Sequence, residues 1–176
     1  MAIVIILLAW YDMCEFSGKG DYVEIREAEI HDLTSILALQ KLAYQSEAEL
    51  VGDYSIPPLT QTIEGITDDF NKGTLLKFVD FGEIVGSVRV RFSDNTLHIG
   101  RLIVVPSRQN QGIGTALLMA AEKLCPNARY ELFTSDKSDK NLSLYLKNGY
   151  KEFKRKPLNE NVSLVFLEKY PHVQNR

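Results

Sequence analysis

Apolar and polar positions follow two periods along this chain, and the switches between them lay out an order of elements. Alternation from Tyr22 to Arg26 predicts a first strand. Leu33, Ile36, Leu37 and Gln40 keep helical spacing, and Leu42 and Ala43 extend it. Asp32 stands where it can cap that helix or complement its dipole. From Ser46 to Thr60 the pattern is irregular, with Glu47, Glu49, Asp53, Tyr54 and a Pro57-Pro58 break. A second helix is predicted from Gln61 to Asn71, with Ile63, Ile66 and Phe70 on one face and Gly73 as its stop. Strands Thr74 to Asp80, Ile84 to Phe92 and Thr96 to Val105 follow. The turns between them, at Gly82 and at Ser93-Asp94-Asn95, are short enough to imply an antiparallel meander. A helix then runs from about Gly112 to Leu124, with Ile113, Leu117, Ala120, Ala121 and Leu124 on its apolar face and Pro126 beyond its end. Tyr130 to Thr134 is a strand. Ser138 can cap a helix running to Asn148, with Gly149 as its C-terminal glycine. Strands at Tyr150 to Lys154 and Val162 to Glu168 finish the chain's pattern.

This order predicts an α+β fold, with flanking helices packed on a mixed, mostly antiparallel sheet. It lacks the regular strand–helix alternation of a doubly wound dinucleotide fold. At 176 residues the length fits one domain, placed at 21–170, followed by a tail over 171–176. The opening run M-A-I-V-I-I-L-L-A-W is too short to span a bilayer and has no basic residue ahead of it, unlike a signal peptide. Residues 1–20 are therefore read as an apolar leader or extra strand, with a hinge at Ser17-Gly18-Lys19-Gly20.

A net charge of −3 carries no footprint of nucleic acid or an anionic membrane as partner. Cys14 and Cys125 lack a CxxC partner and read as reduced thiols of a cytoplasmic protein. His31, His98 and His172 have no ligand-like spacing, so no metal is expected.

Candidate chemistry concentrates in Val104 to Leu118, V-V-P-S-R-Q-N-Q-G-I-G-T-A-L-L. A strand ends at Pro106, a polar turn carries two glycines one residue apart, and a helix begins. Such a turn aims backbone N–H groups from Asn110 to Thr115 at one point, where the helix dipole also favours an anion. Glycine lets that backbone approach a bulky phosphate closely. No Lys follows Gly114, which excludes a P-loop in its usual form.

The hexapeptide Gln109-Asn110-Gln111-Gly112-Ile113-Gly114 resembles the [QR]-x-x-G-x-[GA] signature of the GNAT N-acetyltransferase family. The flanks match too. Val104-Val105-Pro106 precedes the signature, Thr115-Ala116-Leu117-Leu118 follows it, and Tyr145-Leu146-Lys147-Asn148-Gly149-Tyr150 looks like the family's Y-x-x-x-G-[FY]. The resemblance covers roughly residues 22 to 169. It implies a GNAT-like sheet with a splayed parallel strand pair, and acetyl-CoA as co-substrate, without a metal. Gln109 to Thr115 would cradle the diphosphate, while backbone groups of Leu102, Ile103 and Val104 would pair with the pantetheine arm.

The implied reaction is direct acetyl transfer to a primary amine on a small molecule or peptide. It calls for an acid at the departing thiolate and a base at the amine. By resemblance Tyr145 is the acid, His98 is a candidate base, and Glu131, on the strand that would form the other lip of the splay, is a second. Ser138 occupies the position where relatives commonly place an asparagine on the coenzyme arm, and Asn141 lies a turn later. The acceptor would enter across Ala43 to Leu59. The alternative is a non-catalytic acyl-CoA-binding sensor that keeps the turn without a proton relay. A homodimer is the base-rate expectation for assembly.

Overall fold

The computed structural model describes residues 23–171. The leader, its hinge, Cys14, His172 and all but the first residue of the tail lie outside the described residues. The elements in chain order are β1 (Val23–Glu27), α1 (Leu33–Ala43), α2 (Gln45–Val51), α3 (Pro57–Thr60), α4 (Ile63–Lys72), β2 (Thr74–Asp80), β3 (Glu83–Ser93) and β4 (Thr96–Val104), followed by α5 (Ile113–Leu124), β5 (Arg129–Ser135), α6 (Asp139–Lys147), β6 (Lys151–Pro157) and β7 (Ser163–Lys169). The segment read as irregular thus holds two short helices. The first ends at Gly52, whose φ of 69° makes a left-handed C-terminal stop. The second begins at Pro57 and Pro58, which are tolerated in a first helical turn because that turn needs no N–H donor.

The strands form one sheet in the order β1-β2-β3-β4-β5-β7-β6, antiparallel except where β4 meets β5. This is the mixed, mostly antiparallel sheet that the sequence implied. Pleating sends alternate residues to two covered faces. On one face Leu76, Val88, Leu97 and Leu132 pack against Leu117 and Leu118 of α5 and Tyr145 of α6. On the other, Leu75 packs with Ile36 and Leu37 of α1 and Ile66 of α4. Helix α5 lies so close to β3 that a Cβ on Gly86 would stand 2.9 Å from a Leu117 methyl group. Among the described residues no helix is long and apolar enough to cross a membrane.

Asp32 precedes α1 but its side chain does not cap that helix. Its Oδ2 instead accepts from the Glu29 N–H (2.7 Å) and from Lys77 Nζ (2.5 Å) of β2. Both members of this ion pair are buried. Burial pushes the Asp32 carboxyl up, but the Glu29 N–H and Lys77 outweigh it and hold the group below its ordinary value of 3.8. The pair pins the start of α1 to the sheet.

Asp32→Asn leaves the Lys77 ammonium buried without a counter-charge and is expected to destabilise the fold by about 3–5 kcal/mol at pH 7. Because the folded pKa is depressed, this stabilisation is present above the ordinary carboxylate range and is lost as pH falls through the folded value. Urea unfolding of both proteins between pH 7 and 3 should show the gap between them closing on the acid side.

Candidate active site

The glycine turn is assembled from both ends. Arg108, in a short turn of helix after Val105, pairs with the buried Asp80 at the end of β2. The Gln109 amide donates to the Val104 carbonyl at 3.3 Å, and Arg108 Nε donates to Gln111 Oε1 at 2.9 Å. Asn110 (φ 62°) and Gly112 (φ 85°) both take left-handed backbone, which turns the chain into α5. Open space lies where a Gly112 Cβ would point. None of the backbone N–H groups from Asn110 to Thr115 donates to a backbone or side-chain acceptor among the described residues. Unsatisfied donors at a helix start, with room in front of them, form a receptor for an anion.

That receptor stands beside a break in the sheet. Strands β4 and β5 pair over three residues, Thr96 with Arg129, Leu97 with Tyr130 and His98 with Glu131, and pair no further. Beyond that point the edge of β4 from Ile99 to Val104 has no β5 partner. On its other side β4 carries a bulge, where the register against β3 slips between the pairs Arg89–Gly100 and Ser87–Ile103. Arg101 makes the bulge with φ 51°. Plain alternation would put His98, Gly100, Leu102 and Val104 on one face, and the slip separates them. Gly100 and Ile103 now face α1, while Leu102 and Val104 pack with the α5 cluster. One extra residue in the strand inverts the alternation after it.

Side chains from both layers meet at the break. Tyr145, buried on α6, has Tyr44 and Glu47 from the other layer close enough to act on its charge. Glu47 Oε1 accepts from Ser138 Oγ (2.5 Å) and Asn141 Nδ2 (2.9 Å), and Asn141 also reaches Thr134 Oγ1 at 3.4 Å. Ser138 therefore sits at the head of α6 without capping it, because its hydroxyl is spent on Glu47. Burial, followed by the fields of Tyr44 and Glu47, pushes the Tyr145 phenol well above its ordinary range. The phenol therefore holds its proton at neutral pH.

The other expected residues are placed differently. His98 is exposed at the closed end of the break, between Arg91 of β3 and Glu131 of β5 in register. The Glu131 carboxylate is committed to Arg129 at 2.6 Å, and Arg129 also holds Glu168 at 2.7 Å. Sequence reasoning treated the acids of the Ala43–Leu59 segment collectively and did not single out Tyr44, Glu47 or Arg101. The signals were present, since Tyr44, Glu47 and Ala48 keep helical spacing up to Gly52, and Arg101 interrupts an otherwise apolar strand end.

Residues 30–150 match the acetyltransferase (GNAT) family. The chain belongs to that family, whose members are acyltransferases. It is also similar to UPF0157 protein YqkA of Bacillus subtilis, 26% identical over 152 residues, a match covering 86% of this chain but 43% of that protein. The chain thus spans less than half the length of this curated relative. Among solved structures it resembles PaiA N-acetyltransferase from Thermoplasma acidophilum, crystallised with coenzyme A, with a TM-score of 0.71, 20% identity, and 84% of this chain and 98% of that one covered. The ribosomal-protein-S18-alanine N-acetyltransferase of Escherichia coli gives a TM-score of 0.70 at 13% identity, with 88% and 98% covered.

Gly112→Val forces a β-branched residue into left-handed backbone and fills the space before the free amides. Acetyl-CoA affinity should fall by at least about tenfold, a loss of about 1.4 kcal/mol. Calorimetric titration of wild type and variant measures it, with circular dichroism checking that the fold persists.

Proposed function

We propose that this protein is an N-acetyltransferase that moves an acetyl group from acetyl-CoA directly to a primary amine. The observation that carries the reading is the set of unpaired amides from Asn110 to Thr115 beside a strand pair that parts after three residues. The amides suit a diphosphate, and the unpaired edge of β4 at Leu102, Ile103 and Val104 suits an amide-bearing arm laid along it. The arm's thioester would then end in the break, next to Tyr145.

Chemistry follows from the groups gathered there. The neutral amine attacks the thioester carbonyl, the C–S bond breaks as the C–N bond is kept, and the thiolate takes the phenolic proton of Tyr145. The proton lost by the amine goes to a base on the acceptor side. Glu47 supports that role best, since it lies near Tyr145, is held by Ser138 and Asn141, and its Oε2 has no partner among the described residues. His98 is the second candidate base, at the closed end of the break. Glu131 is the weakest of the three, because Arg129 already holds its carboxylate.

Release of free thiol from acetyl-CoA over a panel of primary amines tests the reading. Turnover is expected, and tight acetyl-CoA binding with no thiol release from any amine would instead make the protein a sensor of acyl-CoA. Tyr145→Phe should lower kcat by about 10²–10⁴-fold with little change in KM. The raised phenol keeps its proton, so kcat of the wild type should show no alkaline limb from this group up to about pH 10. Wild-type kcat in Tyr145→Phe would contradict the acid role, and a limb below that pH that disappears in the variant would show that the phenol is not raised.

A further inference from the structure

We propose that Arg101 is the anion-binding residue of the acceptor site and selects amines that also carry a carboxylate. This rests on the acetyltransferase reading above and names the class of acceptor it takes.

Charge pairing singles the residue out. Arg26, Arg89, Arg91, Arg108, Arg129 and Arg155 each have a carboxylate within 4.0 Å. Arg101 is the one arginine among the described residues that has none. Its Nε is also the one buried side-chain nitrogen or oxygen without a hydrogen-bond partner among those residues. The acids nearby are already engaged. Asp69 serves Arg89 and Arg91, and Glu47 Oε1 serves Ser138 and Asn141. Arg89 adds a second positive charge close by, since the field of Arg101 acts on it.

The backbone carries a cost as well. Arg101 is a non-glycine residue in left-handed conformation inside a strand, and such strain persists where the surroundings hold it in place and clusters at functional sites. The cavity of about 10 Å³ on its Gln40, Asp69 and Arg89 side takes no more than one water, so a ligand carboxylate would have to meet the guanidinium from the Tyr44 side. The guanidinium also lies against the Tyr44 ring, 5.7 Å from its centre. Tyr44 is thus the common neighbour of Arg101, Glu47 and Tyr145. A cation on one side of Tyr44 and a carboxylate on the other match a ligand with an ammonium end and a carboxylate end. A paired charge held by arginine in a desolvated site is strong and geometrically selective.

The carboxylate belongs to the acceptor and not to the acyl chain, because Arg101 reaches into the α1 and α4 layer while the amide cradle opens at the head of α5 on the opposite face. Matched pairs of amino acids and their amides, with the amine and carboxyl two to six carbons apart, separate the outcomes. On the CoA-bound protein, calorimetry should show at least one acid binding at least about tenfold more tightly than its amide. Arg101→Gln should erase that difference, and Arg101→Lys should restore part of it. Kinetically the preference should appear in KM. Equal affinity of acids and amides across the series would overturn the proposal, as would a preference that survives Arg101→Gln. A preference for succinyl-CoA over acetyl-CoA without any acid–amide difference would overturn it by moving the carboxylate to the acyl chain. Because binding is read without turnover, acid selection without thiol release would sink the transferase reading and leave Arg101's role standing.

Discussion

A parallel strand pair that parts after three residues is the constraint on which this molecule depends. Backbone donors and acceptors inside a folded protein are nearly always satisfied, so a strand that leaves its partner must be compensated. Here β4 keeps its bonds to β3 on one side and loses β5 on the other after His98. The departure exposes an edge that another extended chain can complete. It also opens a passage through the sheet, so that side chains from two layers otherwise separated by strands can meet. The close packing of α5 on β3 at Gly86 and the Arg108–Asp80 pair keep the amide cradle fixed beside that opening.

Electrostatics inside the opening follow from its position between the layers. Tyr145 is surrounded by protein and by groups that disfavour a phenolate, which suits a proton donor. Tyr44 feels burial pushing its phenol up and Arg101 pulling it down, so cation and phenol are held against one another. Glu47 is tethered across the gap by Ser138 and Asn141 from α6. Helix α2 therefore bridges the two layers at the break and brings a carboxylate close to Tyr145.

Much of the frame was legible in the chain because it rests on local chemistry. Alternation located the strands, and glycines at 112 and 149 located helix boundaries. The polar turn after Val104-Val105-Pro106 announced its free amides, since a helix start leaves N–H groups without partners whatever the fold. What stayed hidden depends on distance in sequence. Ser138 looks like a cap until Glu47, far away in the chain, takes its hydroxyl. Glu131 looks like a free carboxylate until its neighbour Arg129, held from a distant strand by Glu168, closes on it. The bulge at Arg101 had one local sign, the isolated Gly100 inside the strand, and plain alternation that passes over it would put Leu102 and Val104 on the face of His98 and Gly100. The two short helices between Tyr44 and Gln61 were missed because each is too short for a full apolar stripe.

In the proposed complex the amides from Asn110 to Thr115 receive the diphosphate of coenzyme A beside the parted strands. Amide chemical shifts of isotope-labelled protein, followed during titration with coenzyme A and separately with pantetheine, test it residue by residue. Coenzyme A should move the resonances of Asn110 to Thr115 strongly, while pantetheine, which lacks the diphosphate, should leave them and perturb Leu102 to Val104. Saturating coenzyme A that leaves the Asn110–Thr115 amides unmoved would contradict the account.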